Sequence, residues 1–247
     1  MKFSKIGALS GRYSSSSPNL SNVPKSKTIH LNYMSTTRIM VIGPMTSGKT
    51  TVASYLAENY GFKKLTLAAA LKEIVKDIEN NIPTTSIIQN RIFKYINLTK
   101  KEIANMEKAI TLTGNIPNET PKPRKRLQFL GTEGGRQMVR NTIWIDIVKA
   151  QIKNNGKYVI DDVRFLNEYY AFLSMGFGAL KLKISDSTQD KRIRDLYGNY
   201  DPKILQHPSE TELKQINIDP KYCINNDGPL DHLFHYVEII LNPGNTV

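Results

Sequence analysis

Gly43-Pro44-Met45-Thr46-Ser47-Gly48-Lys49-Thr50 follows directly on the apolar run Arg38-Ile39-Met40-Val41-Ile42 and opens a helical pattern over 49–59. The spacing is G-x-x-x-x-G-K-[ST] without a departure, in the strand–loop–helix setting that the pattern demands. Glycines let the backbone curl so that its N–H groups face an oxyanion, and the following helix adds the positive end of its dipole. A lysine at this place reaches the terminal phosphates of a nucleotide, and the threonine hydroxyl can ligate Mg²⁺. Chance alone produces the pattern in roughly one chain in a hundred of this length. Gly43, Thr46, Ser47, Gly48, Lys49, Thr50 and Thr51 are the expected contacts of ATP with Mg²⁺; a plain glycine turn is the alternative reading.

Residues 157–161 read as a second buried strand, and 179–184 and 222–224 as further strands. They alternate with helical patterns at 67–78, 124–130, 143–155, 166–175 and 230–241. In the first of these, Leu67, Ala70, Leu71, Ile74, Val75 and Ile78 recur at helical spacing, with Lys72, Glu73, Lys76 and Asp77 off the stripe. The alternation predicts an α/β fold with a mostly parallel sheet. Residues 82–123, broken by Pro83, Pro117, Pro121 and Pro123, read as a helical insertion with a loop, and 185–219 as a polar, charged stretch. Residues 1–37 differ in texture: Ser14-Ser15-Ser16-Ser17-Pro18 is low-complexity and no apolar period persists. They are expected to be a disordered basic tail ahead of a single domain at 38–247, with an organelle-targeting peptide as the alternative.

The 247 residues carry 34 Lys+Arg against 22 Asp+Glu, a formal charge of +12. The excess is uneven, since no acidic residue precedes Glu58. What remains over the domain suits small anionic substrates as well as it suits nucleic acid, and no direct nucleic-acid partner is expected. No apolar run approaches the roughly 18 residues of a membrane span. Cys223 is the single cysteine, which excludes an intramolecular disulfide and points to a reducing, cytoplasmic setting. His232 and His235, three apart, read as a surface pair.

A second anion contact is expected at the carboxyl end of another strand, where ligands of α/β folds collect. Asp161-Asp162-Val163-Arg164 stands there: the carboxylates can support Mg²⁺ and the guanidinium can grip a phosphate bidentately. A helix N-cap by Asp162, with Arg164 in solvent, is the alternative. Lys72 is a lesser candidate that also reads as a solvated lysine. Arg124, Lys125, Arg126, Arg136 and Arg140 bracket Gly131-Thr132-Glu133-Gly134-Gly135, a basic wall around a flexible turn or a charged helical surface.

Taken in order, five blocks resemble the deoxynucleoside monophosphate kinases of bacteriophages and large DNA viruses. They are the glycine loop; Leu67-Ala68-Ala69-Ala70-Leu71-Lys72; Arg126-Leu127-Gln128-Phe129-Leu130-Gly131-Thr132-Glu133 with Trp144; Asp161-Asp162-Val163-Arg164; and Asn225-Asn226-Asp227-Gly228. The resemblance runs over about 38–241 and is weakest across 82–123. It implies a three-layer, nucleoside monophosphate kinase-like P-loop fold and transfer of the ATP γ-phosphate to a deoxynucleoside monophosphate, giving the diphosphate for DNA synthesis in a viral setting. It also implies catalytic roles for Lys49 and Arg164, and metal support from Thr50 and Asp161. Lys72, Arg126, Arg136, Trp144, Asp162 and Arg164 would form the acceptor site, and Asn226 would lie near the donor adenine. His207-Pro208-Ser209-Glu210 matches a His-x-Ser/Thr-Glu block of the family, preceded by Arg192 and Arg194 where relatives carry a mobile lid, here within 185–210. Trp144 reads equally as a core tryptophan, and Lys191, Arg192 and Arg194 as a solvated helix face. A homodimer stays open. A dephospho-coenzyme A kinase is the runner-up, weakened because no carboxylate lies near the start of the chain; a P-loop nucleic-acid-binding ATPase is the third reading.

Overall fold

The computed structural model describes residues 37–117, 123–206 and 208–242. Residues 1–36 of the expected tail, 118–122 of the expected insertion loop and His207 lie outside them. At the centre is β1 (Arg38–Ile42), flanked by β3 (Tyr158–Ile160) and β4 (Gly178–Lys183); β2 (Lys63–Leu65) lies outside β3 and β5 (Cys223–Asn225) outside β4. All four pairings are parallel, with Met40 opposite both Ile160 and Ala179. The order 2-3-1-4-5 makes β1 the strand from which the chain departs to either side, and the crevice at such a switch point lies beyond the carboxyl ends of the strands.

Strand residues alternate between two buried faces, as a parallel sheet covered on both sides requires. Ile39 and Val41 join Leu180, Leu182 and Ile224 against α1 (Lys49–Tyr60) and α10 (Leu230–Leu241). Met40 and Ile42 join Leu65 and Ile160 against α2 (Ala68–Glu79), α6 (Ile143–Lys149) and α7 (Leu166–Ser174). The second layer is extended by α3 (Thr84–Arg91), α4 (Lys100–Asn115) and α5 (Arg124–Phe129). Local chemistry sets the ends: α1 stops at Gly61, which takes φ 70° and donates its N–H to Leu56. The start of α4 is a reciprocal box between Thr99 and Glu102. Among the described residues no helix is long and apolar enough to cross a membrane.

The helix expected at 143–155 and the turn expected at 131–135 both differ from the expectation. The helix begun at Ile143 ends at Lys149 rather than near residue 155, because Gln151 and Ile152 close tight turns onto Val148 and Lys149 and Arg38 takes the carbonyls of Lys153 and Asn154. The glycine-rich stretch after α5 is no open turn. Leu130–Val139 is a π-helical segment that closes with an Arg140 N–H to Gly135 carbonyl bond, and Gly131, Gly134 and Gly135 are buried in it.

Gly135 is there for space. A Cβ at this position would lie 2.7 Å from Trp144 Nε1 and closer still to its ring carbons. Glycine to alanine in a helix ordinarily gains up to about 1 kcal/mol. Here Gly135→Ala is expected to destabilise by about 1–3 kcal/mol, the usual cost of overpacking, and chemical denaturation checks the sign.

Candidate active site

The loop between β1 and α1 is held in a shape few residues tolerate. Gly48 has φ 95°, and a Cβ there would meet Asn226 Nδ2 at 2.6 Å. Thr46 adopts φ 61°, a left-handed conformation rare for a β-branched residue and typical of strain kept at functional loops. Asn226, at the end of β5, is buried and donates from Nδ2 to the Ser47 carbonyl at 2.9 Å, fastening the loop from the far side of β4. Ser47 Oγ is buried and has no hydrogen-bond partner among the described residues.

Lys49 is 8% exposed, and its Nζ donates to the carbonyls of Gly43 (2.8 Å) and Pro44 (2.6 Å), closing the loop on its own backbone. Burial, and after it the positive charge of Arg164, bring its pKa down from 10.5 to about 8, while Glu210, Asp161 and Asp162 act in the opposite sense.

Those charges come from the turn after β3 and from α9 (Pro208–Thr211). Asp161 is buried and paired with Lys64 Nζ at 3.0 Å. Asp162 caps α2: its two oxygens accept the N–H groups of Leu67 and Ala68, each at 2.9 Å. Burial nevertheless pushes its carboxyl above the usual range. In the structure Asp162 docks α2 against the turn. The Arg164 guanidinium pairs with one oxygen of Glu210, and the other oxygen accepts the Met45 N–H of the glycine loop at 3.0 Å. The Arg164 backbone is set by Glu168, 1% exposed, which accepts the N–H of Arg164 at 2.7 Å and of Phe165 at 3.0 Å. Arg136 pairs with Glu168 and lies over the Phe165 ring at 4.3 Å, so it neutralises a buried carboxylate that holds the turn.

The charged stretch contains α8 (Asp186–Tyr197), whose polarity hides its helical period, and one side of it is docked on the loop. Arg192 donates to the carbonyls of Thr46 (3.3 Å) and Asn226 (2.8 Å), and Gln189 to that of Met45 (3.0 Å). Arg194 is turned away, exposed and paired with Asp190.

Other expected contacts stand elsewhere. Trp144 is 1% exposed with its Nε1 donating to the Gly131 carbonyl at 3.0 Å, so its ring offers no open face to a nucleobase. In the structure the tryptophan is core, seated on Gly135. Arg126 is buried and binds the carbonyls of Ile116 (2.9 Å) and Gly114 (3.4 Å), fastening the end of α4. Lys72 is exposed on α2, and Thr50 and Thr51 are exposed on the first turn of α1. No group of three or more His, Cys, Asp or Glu gathers as a metal cluster among the described residues. Thr50 and Asp161 are oxygen donors, the type Mg²⁺ takes when phosphates and water complete its shell, and they fit that ion. Glu210, Glu168 and Gln189 were not expected in these roles; the only signal for Glu210 was its place in the His-x-Ser/Thr-Glu block.

No protein-family model matches the chain. A stretch of 48 residues is 50% identical to the deoxynucleoside-5'-monophosphate kinase of Escherichia phage T5, covering 19% of this chain and 19% of that relative. Among solved structures, a gluconokinase from Sinorhizobium meliloti 1021 aligns over 85% of this chain and 94% of its own at 15% identity, with a TM-score of 0.46. The protein TT1252 from Thermus thermophilus aligns over 84% and 97% at 17% identity, with a TM-score of 0.44.

The lowered pKa of Lys49 has a measurable sign. Below about 8 the amine holds its proton and meets an oxyanion as a cation; above it, binding must first take up a proton. Affinity for inorganic tripolyphosphate is expected to fall as pH is raised from 7 to 9, approaching about tenfold per unit beyond the pKa. Lys49→Met should remove this fall, leaving only the titration of the tripolyphosphate itself, and calorimetry that finds wild type and Lys49→Met with the same profile overturns the assignment.

Proposed function

We propose that this chain is a P-loop phosphotransferase that moves the γ-phosphoryl group of ATP to a deoxynucleoside 5'-monophosphate, giving ADP and the diphosphate. The observation that carries the reading is the approach of Arg164 to the glycine loop: one carboxylate spans the Met45 N–H and the Arg164 guanidinium, so a guanidinium fork stands one carboxylate's width from a nucleotide-phosphate cradle. A donor phosphate on the loop and an acceptor phosphate on Arg164 would then lie beside each other. The short identical stretch shared with the phage T5 kinase supports the choice of acceptor.

In this reading positioning and charge neutralisation do most of the work, as phosphoryl transfer requires. The loop N–H groups and Lys49 cradle the β- and γ-oxygens, with the carbonyls of Gly43 and Pro44 giving up the Lys49 amine to the phosphates. The Ser47 hydroxyl, without a hydrogen-bond partner among the described residues, is a further donor within the loop. Thr50 and Asp161 are the residues that would hold Mg²⁺, which would supply further positive charge to the triphosphate. Arg164 holds the acceptor in line. A phosphate monoester dianion is already a nucleophile, so no general base is required.

The test is a panel of deoxynucleoside monophosphates with ATP, read by ADP release, repeated with Arg164→Lys. The substitution keeps the charge and loses the bidentate fork. Loss of a charge-assisted contact of roughly 1.5–3 kcal/mol raises the acceptor KM about tenfold or more and leaves that for ATP nearly unchanged. An unaltered acceptor KM and kcat removes Arg164 from the site, and no turnover with any monophosphate sinks the choice of substrate.

A further inference from the structure

The Glu210 side chain is 10% exposed and reaches the site from a one-turn helix, and its two oxygens engage the Met45 amide and the Arg164 guanidinium. Both partners are donors of the type that bind phosphoryl oxygens. Carboxylate and phosphate compete for such donors because each is an oxyanion making charge-assisted hydrogen bonds. They also repel each other, since like charges in a partly buried site are only weakly screened.

Pro202–Gln206, Pro208–Thr211 and Glu212–Gln215 contain no buried residue. Among the further ties of the segment are the Glu212 carboxylate, which accepts the Leu166 N–H at 3.0 Å, the partly buried Leu213 packed on the core, and Ile216, which is buried and whose carbonyl accepts from Lys181 Nζ at 2.8 Å. A segment with few buried groups can shift while the sheet and its two helical layers stay intact.

We propose that Glu210 is a built-in competitor for the phosphate site: its carboxylate occupies the loop amide and the Arg164 fork, and a phosphate-bearing ligand binds by displacing it. The inference rests on the phosphate-binding reading above and adds a residue that sets affinity. Glu210 therefore weakens binding of any single oxyanion, and a ligand pair that engages both the loop and Arg164 displaces it most completely.

The experiment is calorimetric titration of the full chain with inorganic tripolyphosphate at pH 7, in wild type, Glu210→Gln and Glu210→Ala. Glu210→Gln keeps the size of the side chain and an acceptor for Met45 while removing the charge. Both variants are expected to bind about tenfold more tightly than wild type. Glu212→Gln, in the same segment but away from the loop, should bind like wild type. A purely structural role for Glu210 moves the affinity the other way, because a loosened Arg164 and loop bind less well. Equal or weaker binding by both Glu210 variants overturns the proposal and leaves the phosphate-site reading standing. If neither wild type nor variants bind, both fall together.

Discussion

A cation buried at the carboxyl edge of a parallel sheet is tolerable only where carboxylates are brought to meet it. Lys49 is nearly inaccessible, and the acids that act on it, Glu210, Asp161 and Asp162, come from α9 and the turn after β3. That meeting depends on strand order. Because β3 pairs directly with β1, its carboxyl-terminal turn emerges beside the glycine loop, and α9 closes the third side. A different neighbour for β1 would leave the lysine to be buried alone, at a cost of several kcal/mol.

Around this centre the polar side chains divide by what they touch. Asp162 satisfies the first amides of α2, Glu168 sets the backbone of Arg164, and Arg136 neutralises Glu168. Asn226 and Arg192 fix carbonyls of the loop from β5 and α8. These groups give the loop and the Arg164 turn their shape, which is what preorganised phosphate chemistry requires of a scaffold. Arg126 and Trp144 belong to a different task, the joining of α4, the π-helical segment and α6 into the second layer.

What was legible in the sequence followed from how local each signal is. β1, β3, β4 and β5 announced themselves as apolar runs, and the glycine loop as a complete eight-residue pattern. β2 did not, since it has three residues and of them only Leu65 is buried. The α/β class with a parallel sheet was therefore readable although one edge strand was not. The partners of the loop were beyond reach: Glu210 meets Met45 across 165 positions, and Gln189 meets it across 144. In the sequence Trp144 offers only its residue type, which speaks for base stacking and for core equally; its contact with Gly135 is made by the tertiary fold. Asp162 reads as a helix cap or a ligand contact, and the helix it caps begins 94 residues earlier in the chain.

The sheet ends on both sides in a strand of three residues. An exposed edge is a template for pairing with a foreign strand, and short length and lysine are the usual deterrents. On the β2 side, Lys63 and Lys64 occupy two of the three edge positions, and Lys64 is also the partner of Asp161. The charge that helps to balance the acidic turn behind the loop thus also guards the sheet against edge-to-edge aggregation, which ties colloidal behaviour to the electrostatics of the site.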